Sequence, residues 1–134
     1  MLEEFESRQR AINADLARLK DARQFAEDAA TDFGLADEGC YQVKLAMCEA
    51  VTNAIQHGSA SEADRIVICA VEEAGALVFY VKDSGRFVPR IAPRGELPES
   101  GRGLEFMGLV MDELDVRPGS EGTVLRFAKR PEDY

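Results

Sequence analysis

Cys48-Glu49-Ala50-Val51-Thr52-Asn53-Ala54-Ile55-Gln56-His57-Gly58 is the stretch on which the reading of this chain turns. Its small and apolar residues predict a helix, and at about 100° per residue Glu49, Asn53 and His57, spaced four apart, fall within one narrow stripe. A carboxylate, a carboxamide and the sole histidine of the chain on one face suit a binding wall. They equally suit a solvated stripe whose histidine meets the last carbonyls of the helix. The stretch alone does not separate the two, so the rest of the chain is read for groups that would face this stripe.

Working outward on the N-terminal side, Asp37 and Glu38 place acids in the first turn of the same helix. Tyr41, Val43, Leu45, Ala46, Ala50 and Ala54 are expected to supply its core face. Before it, Asn13 or Asp15 can cap a helix carrying Leu16, Leu19, Ala22, Ala26, Ala29 and Phe33 at helical spacing, with Gly34 just past its end. Residues 3–11 read as an edge strand, charged enough to discourage pairing with other chains.

On the C-terminal side, Arg65 to Val71 and Ala76 to Lys82 are β-branched runs around Glu72-Glu73-Ala74-Gly75, the pattern of an antiparallel hairpin. The period of two puts Asp83 on the face of Leu77, Phe79 and Val81 as the second strand ends. Residues 86–100 hold Pro89, Pro93, Pro98 and Gly95 and read as a surface loop. Ser100-Gly101-Arg102-Gly103 then opens a helix with Leu104, Met107, Val110, Met111 and Leu114 on its buried side. Glu113 to Arg117 and Thr123 to Lys129 close the chain as strands around a Pro118 to Gly122 turn, with Thr123 on the face of Leu125 and Phe127. Strand, helix, helix, hairpin, loop, helix, hairpin assembles most simply as an α/β (α+β) two-layer sandwich, a mixed, mostly antiparallel sheet with helices on one face.

Composition narrows the function. The 134 residues are 46% hydrophobic, enough for a single domain with one core. The 16 basic against 25 acidic side chains, net −9, oppose direct contact with nucleic acid or an anionic membrane. Cys40, Cys48 and Cys69 are too far apart, with one histidine, for a zinc site or a disulfide framework, and read as reduced thiols in a cytoplasmic protein. The acidic N-terminus lacks the apolar core of a signal peptide, and no stretch approaches the roughly 18 apolar residues of a membrane span.

The chemistry of the polar groups is specific. A carboxylate such as Asp83 accepts hydrogen bonds and cannot donate, so it suits the exocyclic amine of adenine and rejects the carbonyl of guanine; Gly85 lets a flat base approach. Asp-x-Gly is also common turn chemistry. Gly101 and Gly103 at a helix start offer amides and a positive dipole end to a phosphate chain. Asn53 carries the neutral oxygen that Mg²⁺ accepts beside phosphates, and Glu49, one turn earlier, could deprotonate a hydroxyl.

Glu49-x-x-x-Asn53-x-x-x-His57-Gly58, Asp83-x-Gly85, Gly101-Arg102-Gly103-Leu104 and Gly122-Thr123, in this order and spacing, resemble the N, G1 and G2 boxes and terminal threonine of the GHKL (Bergerat-fold) ATPases, and most closely the small anti-sigma-factor serine/threonine kinases. The resemblance covers nearly the whole chain and implies a histidine-kinase-type ATPase fold over residues 1–134, with ATP and Mg²⁺ as cofactors and an ATP lid at about 86–100. It makes Glu49 the catalytic acid–base residue, Asn53 the metal ligand and His57 a neighbour of the phosphates or lid. Asp83, Gly85 and Thr123 would bind adenine, and Gly101, Arg102, Gly103 and Leu104 the phosphates. The implied partners are a STAS-type anti-anti-sigma protein, phosphorylated on serine or threonine, a sigma factor, and a second copy of the chain in a homodimer. Two departures stand out: Arg86-Phe87 follows Gly85 at once, and Glu105 puts an acid beside the phosphate-binding helix start. A regulatory module that binds ATP without transferring phosphate is the alternative; a histidine-kinase fragment fits less well, because the sole histidine is already in the helix motif.

Overall fold

The computed structural model describes residues 5–57, 64–83, 105, 107–119 and 122–131. Strand β1 (Arg8–Asn13) leads into a 3₁₀ turn (Leu16–Arg18), helix α1 (Leu19–Phe33) and helix α2 (Asp37–His57). Strands β2 (Arg65–Glu73) and β3 (Ala76–Asp83) form a hairpin, and β4 (Glu113–Gly119) and β5 (Gly122–Lys129) form a second. Between the hairpins Glu105 and residues 107–110 are helical. The sheet order is β1-β2-β3-β5-β4. All four pairings are antiparallel, so the parallel component expected of a mixed sheet is not found among the described residues.

Local chemistry sets the boundaries. Asp15, rather than Asn13, caps the 3₁₀ turn, its carboxylate accepting the Ala17 amide at 3.0 Å, while α1 itself starts after Arg18 without a side-chain cap. Helix α1 ends at Gly34, whose φ of 97° lies where side chains are strained. The Leu35 amide then returns to the Ala30 carbonyl at 3.0 Å, closing the turn over a buried Leu35. Ala74 (φ 52°) and Gly75 (φ 83°) are the two central residues between Glu73 and Ala76, the left-handed pair that matches strand twist in a two-residue hairpin.

The alternating rows of the sheet decide what is inside. Ile12, Ile66, Ile68, Leu77, Phe79, Val81, Leu125 and Phe127 share the helix-facing side and join Ala22, Phe25, Ala26, Val43, Met47, Ala50, Val51 and Met107 in one buried core. Phe79 and Phe127 stack at its centre with centroids 5.1 Å apart. Removing either ring costs about 3–5 kcal/mol, since the hole would only partly close. On the other side Ala76, Val78 and Ala128 are buried under Val71 and Tyr80, with no helical residue in the cluster. Arg126 spans that face from Glu73 (3.0 Å) to Glu113 (2.8 Å).

Several expected core positions move. Tyr41 is 60% exposed and Leu16 52% exposed, while Met47, Val51, Phe25 and Ala30 are buried instead. Tyr41 and Leu45 sit two residues either side of Val43, a step of about 200° that points them away from the buried side. Leu16 falls in the 3₁₀ turn before α1, and Leu114 lies on β4 rather than on the preceding helix. The edge strand runs Arg8–Asn13 rather than 3–11. No described helix is long and apolar enough to cross a membrane.

Candidate nucleotide site

The polar stripe belongs to the last turns of α2, which packs against β3 and β5. Glu49 and Asn53 sit on the shoulder of the core face, Asn53 about 40° further round than Glu49. Glu49 and Asn53 are each half-buried. His57 is the final residue of the helix.

Asp83 closes β3 opposite Ile66, on the helix-facing row. Thr123 is the second residue of β5, in the row of Leu125 and Phe127, and only 6% exposed. The β3–β5 ladder runs through Lys82 and Val124. One step further the Thr123 amide donates to Asp83 Oδ1 at 3.2 Å, so a side chain takes over where the ladder ends. That bond fixes the carboxylate between the sheet and the helical layer.

Two side-chain atoms in this part of the molecule are buried without a hydrogen-bond partner among the described residues, Asn53 Nδ2 and Thr123 Oγ1. Leaving a buried polar atom unsatisfied costs about 1–3 kcal/mol, and such groups are few in folded proteins. Both sit on elements facing the same interlayer, one on α2 and one on β5. The site thus offers an acceptor-only carboxylate together with a hydroxyl oxygen and an amide nitrogen that have no partner among the described residues.

Among the described residues no cluster of three or more His, Cys, Asp or Glu could hold a metal. Of the sequence-predicted residues, the structure brings Asp83 and Thr123 into contact and places Glu49 and Asn53 on the adjoining helix. Gly85, Gly101, Arg102, Gly103, Leu104 and the 86–100 loop lie outside the described residues.

Sequence reasoning did not single out Arg23. The antiparallel packing of α1 on α2 brings Lys44 to Glu27 at 3.2 Å and Arg23 to Cys48, the neighbour of Glu49. Burial pushes the Cys48 thiol up, and Arg23 pulls it part of the way back. The pairing joins residues 25 positions apart in the chain, and no local pattern announces it.

A sequence model of the histidine kinase-like ATPase domain matches residues 12–129. The anti-sigma F factor of Clostridium acetobutylicum is 38% identical over 97 residues, covering 66% of this chain and 68% of that protein. The anti-sigma F factor of Priestia megaterium is 33% identical over 99 residues, covering 66% and 67%. Among solved structures, a Mycobacterium tuberculosis chain holding RsbU and RsbW domains superposes with a TM-score of 0.72 at 20% identity, over 93% of this chain and 32% of its own. The present chain therefore spans about a third of that protein. The histidine kinase domain of a blue-light activated kinase from Erythrobacter litoralis follows at a TM-score of 0.57 and 22% identity, over 88% of this chain and 61% of its own. At these identities the two structures share the fold.

Proposed function

The chain belongs to the histidine kinase-like ATPase family, among relatives that are anti-sigma factors, and from that premise we propose that it is an ATP-dependent serine/threonine protein kinase acting as an anti-sigma factor. Its protein substrate in this reading is a STAS-type anti-anti-sigma antagonist, and its alternate partner is a sigma factor. The observation that carries the nucleotide reading is the Asp83–Thr123 contact beside a Thr123 hydroxyl that has no partner among the described residues. The Thr123 amide holds the carboxylate in place, and the carboxylate accepts the adenine amine, a donor that guanine lacks at that position.

Mg²⁺ fits the residues present. The ion keeps most of its ligands as water and phosphate oxygen and asks a protein for only one or two oxygen donors. Asn53 has one end of its carboxamide buried without a partner among the described residues, and a half-turn about its last torsion exchanges oxygen for nitrogen at that end. When bound, the cation neutralises charge on the transferring phosphoryl group. Glu49, one turn before Asn53, accepts the proton of the substrate hydroxyl. His57, Gly101, Arg102, Gly103 and Leu104 are assigned to the phosphates, and Gly85 to the base.

The test is incubation with Mg-ATP and STAS-type proteins from the same genome, followed by intact mass. A gain of one phosphate on one of them is expected. Glu49→Ala should keep ATP affinity within a few fold while cutting transfer by roughly 10²–10⁴, the usual worth of a positioned base. Binding of ATP with no transfer to any candidate would instead favour a regulatory module.

A further inference from the structure

Strand β5 carries the Asp83 contact at one end and a second anchorage at the other. Thr123, its second residue, meets Asp83, while Lys129, its last, stands opposite Leu77 on the helix-facing row and is half-buried. A lysine on that row needs a partner for its ammonium. Lys129 donates from Nζ to the Val110 carbonyl at 2.8 Å, at the end of the helical segment formed by Glu105 and residues 107–110. Carbonyls in the last turn of a helix have no donor within it, and a cation placed there meets the negative end of the backbone dipoles.

The other contacts of that segment differ in kind. Met107 and Met111 are buried in the core, but methionine is unbranched and flexible, so two of them hold a helix down without fixing its rotation or its place along the sheet. Leu109 is exposed and adds nothing to the seating. Directional bonds supply what the methionines lack. Just past the segment, the Asp112 amide donates to the Ala128 carbonyl at 2.9 Å, and the Arg130 amide donates to Asp112 Oδ2 at 2.6 Å. Those two bonds fix residue 112, and Lys129 supplies the side-chain bond that reaches the segment itself.

In the chain, Glu105 follows directly on Gly101, Arg102, Gly103 and Leu104, which the proposed function assigns to the phosphates. We infer that Lys129 is a positioning residue for phosphate binding. It acts without touching the nucleotide: it holds the Val110 carbonyl, and through it the place from which the chain leads back to the phosphate-binding residues. This role rests on the nucleotide reading and deepens it. One strand sets the base contact directly, through Thr123, and the phosphate contact indirectly, through Lys129. Recognition of base and of phosphate is therefore separable, and a change at Lys129 acts on the phosphate part alone.

The test uses the intact chain and two probes, Mg-ATP followed by titration calorimetry and adenosine, which lacks phosphates, followed by NMR titration. Lys129→Met keeps an aliphatic stem and deletes the ammonium. Its dissociation constant for ATP should rise at least about tenfold, the usual weight of a hydrogen bond to a charged group, while that for adenosine stays within about twofold of the parent. Lys129→Arg, whose guanidinium can donate to the same carbonyl, should recover most of the ATP affinity. A variant that merely loosens the fold would weaken both probes together. Should Lys129→Met fail to fold, Lys129→Gln carries the same comparison. Unchanged ATP binding in the variant overturns the role, and so does an equal loss of ATP and adenosine. A parent that binds neither probe refutes instead the nucleotide reading on which the role rests.

Discussion

Replacing Thr123 by valine separates what the fold needs from what a ligand needs. Valine keeps the β-branched shape and the backbone amide that donates to Asp83 at 3.2 Å and deletes only the hydroxyl. That hydroxyl oxygen is buried, on a residue 6% exposed, and has no partner among the described residues. In the nucleotide-free protein it contributes desolvation cost without a compensating bond, and its removal should stabilise by about 1 kcal/mol. For a chain of this size that corresponds to a melting temperature higher by about 3–5 °C. With ATP the sign reverses, because a hydrogen bond worth about 1 kcal/mol is lost, roughly a fivefold weaker dissociation constant. Scanning calorimetry without nucleotide and titration calorimetry with ATP measure the two effects on one sample. A variant that melts lower than the parent without nucleotide, or one that binds ATP with unchanged affinity, would refute the assignment of Thr123 as a ligand contact.

Asp83→Asn keeps an oxygen for the Thr123 amide but turns the second oxygen into a donor that faces the adenine amine. ATP affinity should fall by at least about 10²-fold while the fold survives, and equal ATP and GTP binding by the parent would contradict the role. Gly34→Ala has open space around the new methyl and should still cost about 1 kcal/mol in urea unfolding, because φ of 97° is strained for any side chain. On the bare sheet face, the Tyr80 hydroxyl donates to Glu73 at 2.6 Å and, with Arg126, holds the Glu73 carboxyl below its ordinary range. The same bond to Glu73 pushes the Tyr80 hydroxyl up. A depressed acid stabilises above the ordinary carboxylate range and loses that contribution as pH falls through its folded value. A raised phenol stabilises below its ordinary value near 10 and loses that as pH rises. Tyr80→Phe should therefore flatten both the acid and the alkaline limbs of the stability–pH curve, and unchanged limbs in denaturant titrations would count against the network.

Legibility followed the range of the interaction. The β2–β3 hairpin, the Gly34 stop and the pairing of β4 with β5 are settled within a few residues of chain, and the sequence located each of them; the cap stood open between Asn13 and Asp15, and Asp15 serves the 3₁₀ turn. The helix-facing positions of Asp83 and Thr123 follow from strand parity, which is also local. The core face of α2 was read less well. Tyr41 and Leu45 are apolar or aromatic but lie on the outward side, and composition does not reveal how α1 and the sheet divide the circumference of a helix.

By itself, the sequence determined the spacing of Glu49, Asn53 and His57, the strand parity of Asp83 and Thr123, and the order of the motifs, because each rests on a backbone period. Only the tertiary structure decided which of these residues meet. It joined Asp83 to the Thr123 amide across 40 residues and left the Thr123 hydroxyl and Asn53 Nδ2 buried without partners among the described residues. It also folded Arg8 and Arg10 onto α1, leaving the β1 edge uncharged on its other face. These outcomes depend on which surfaces the sheet and helices press together, and desolvation acts on a group only once that packing exists.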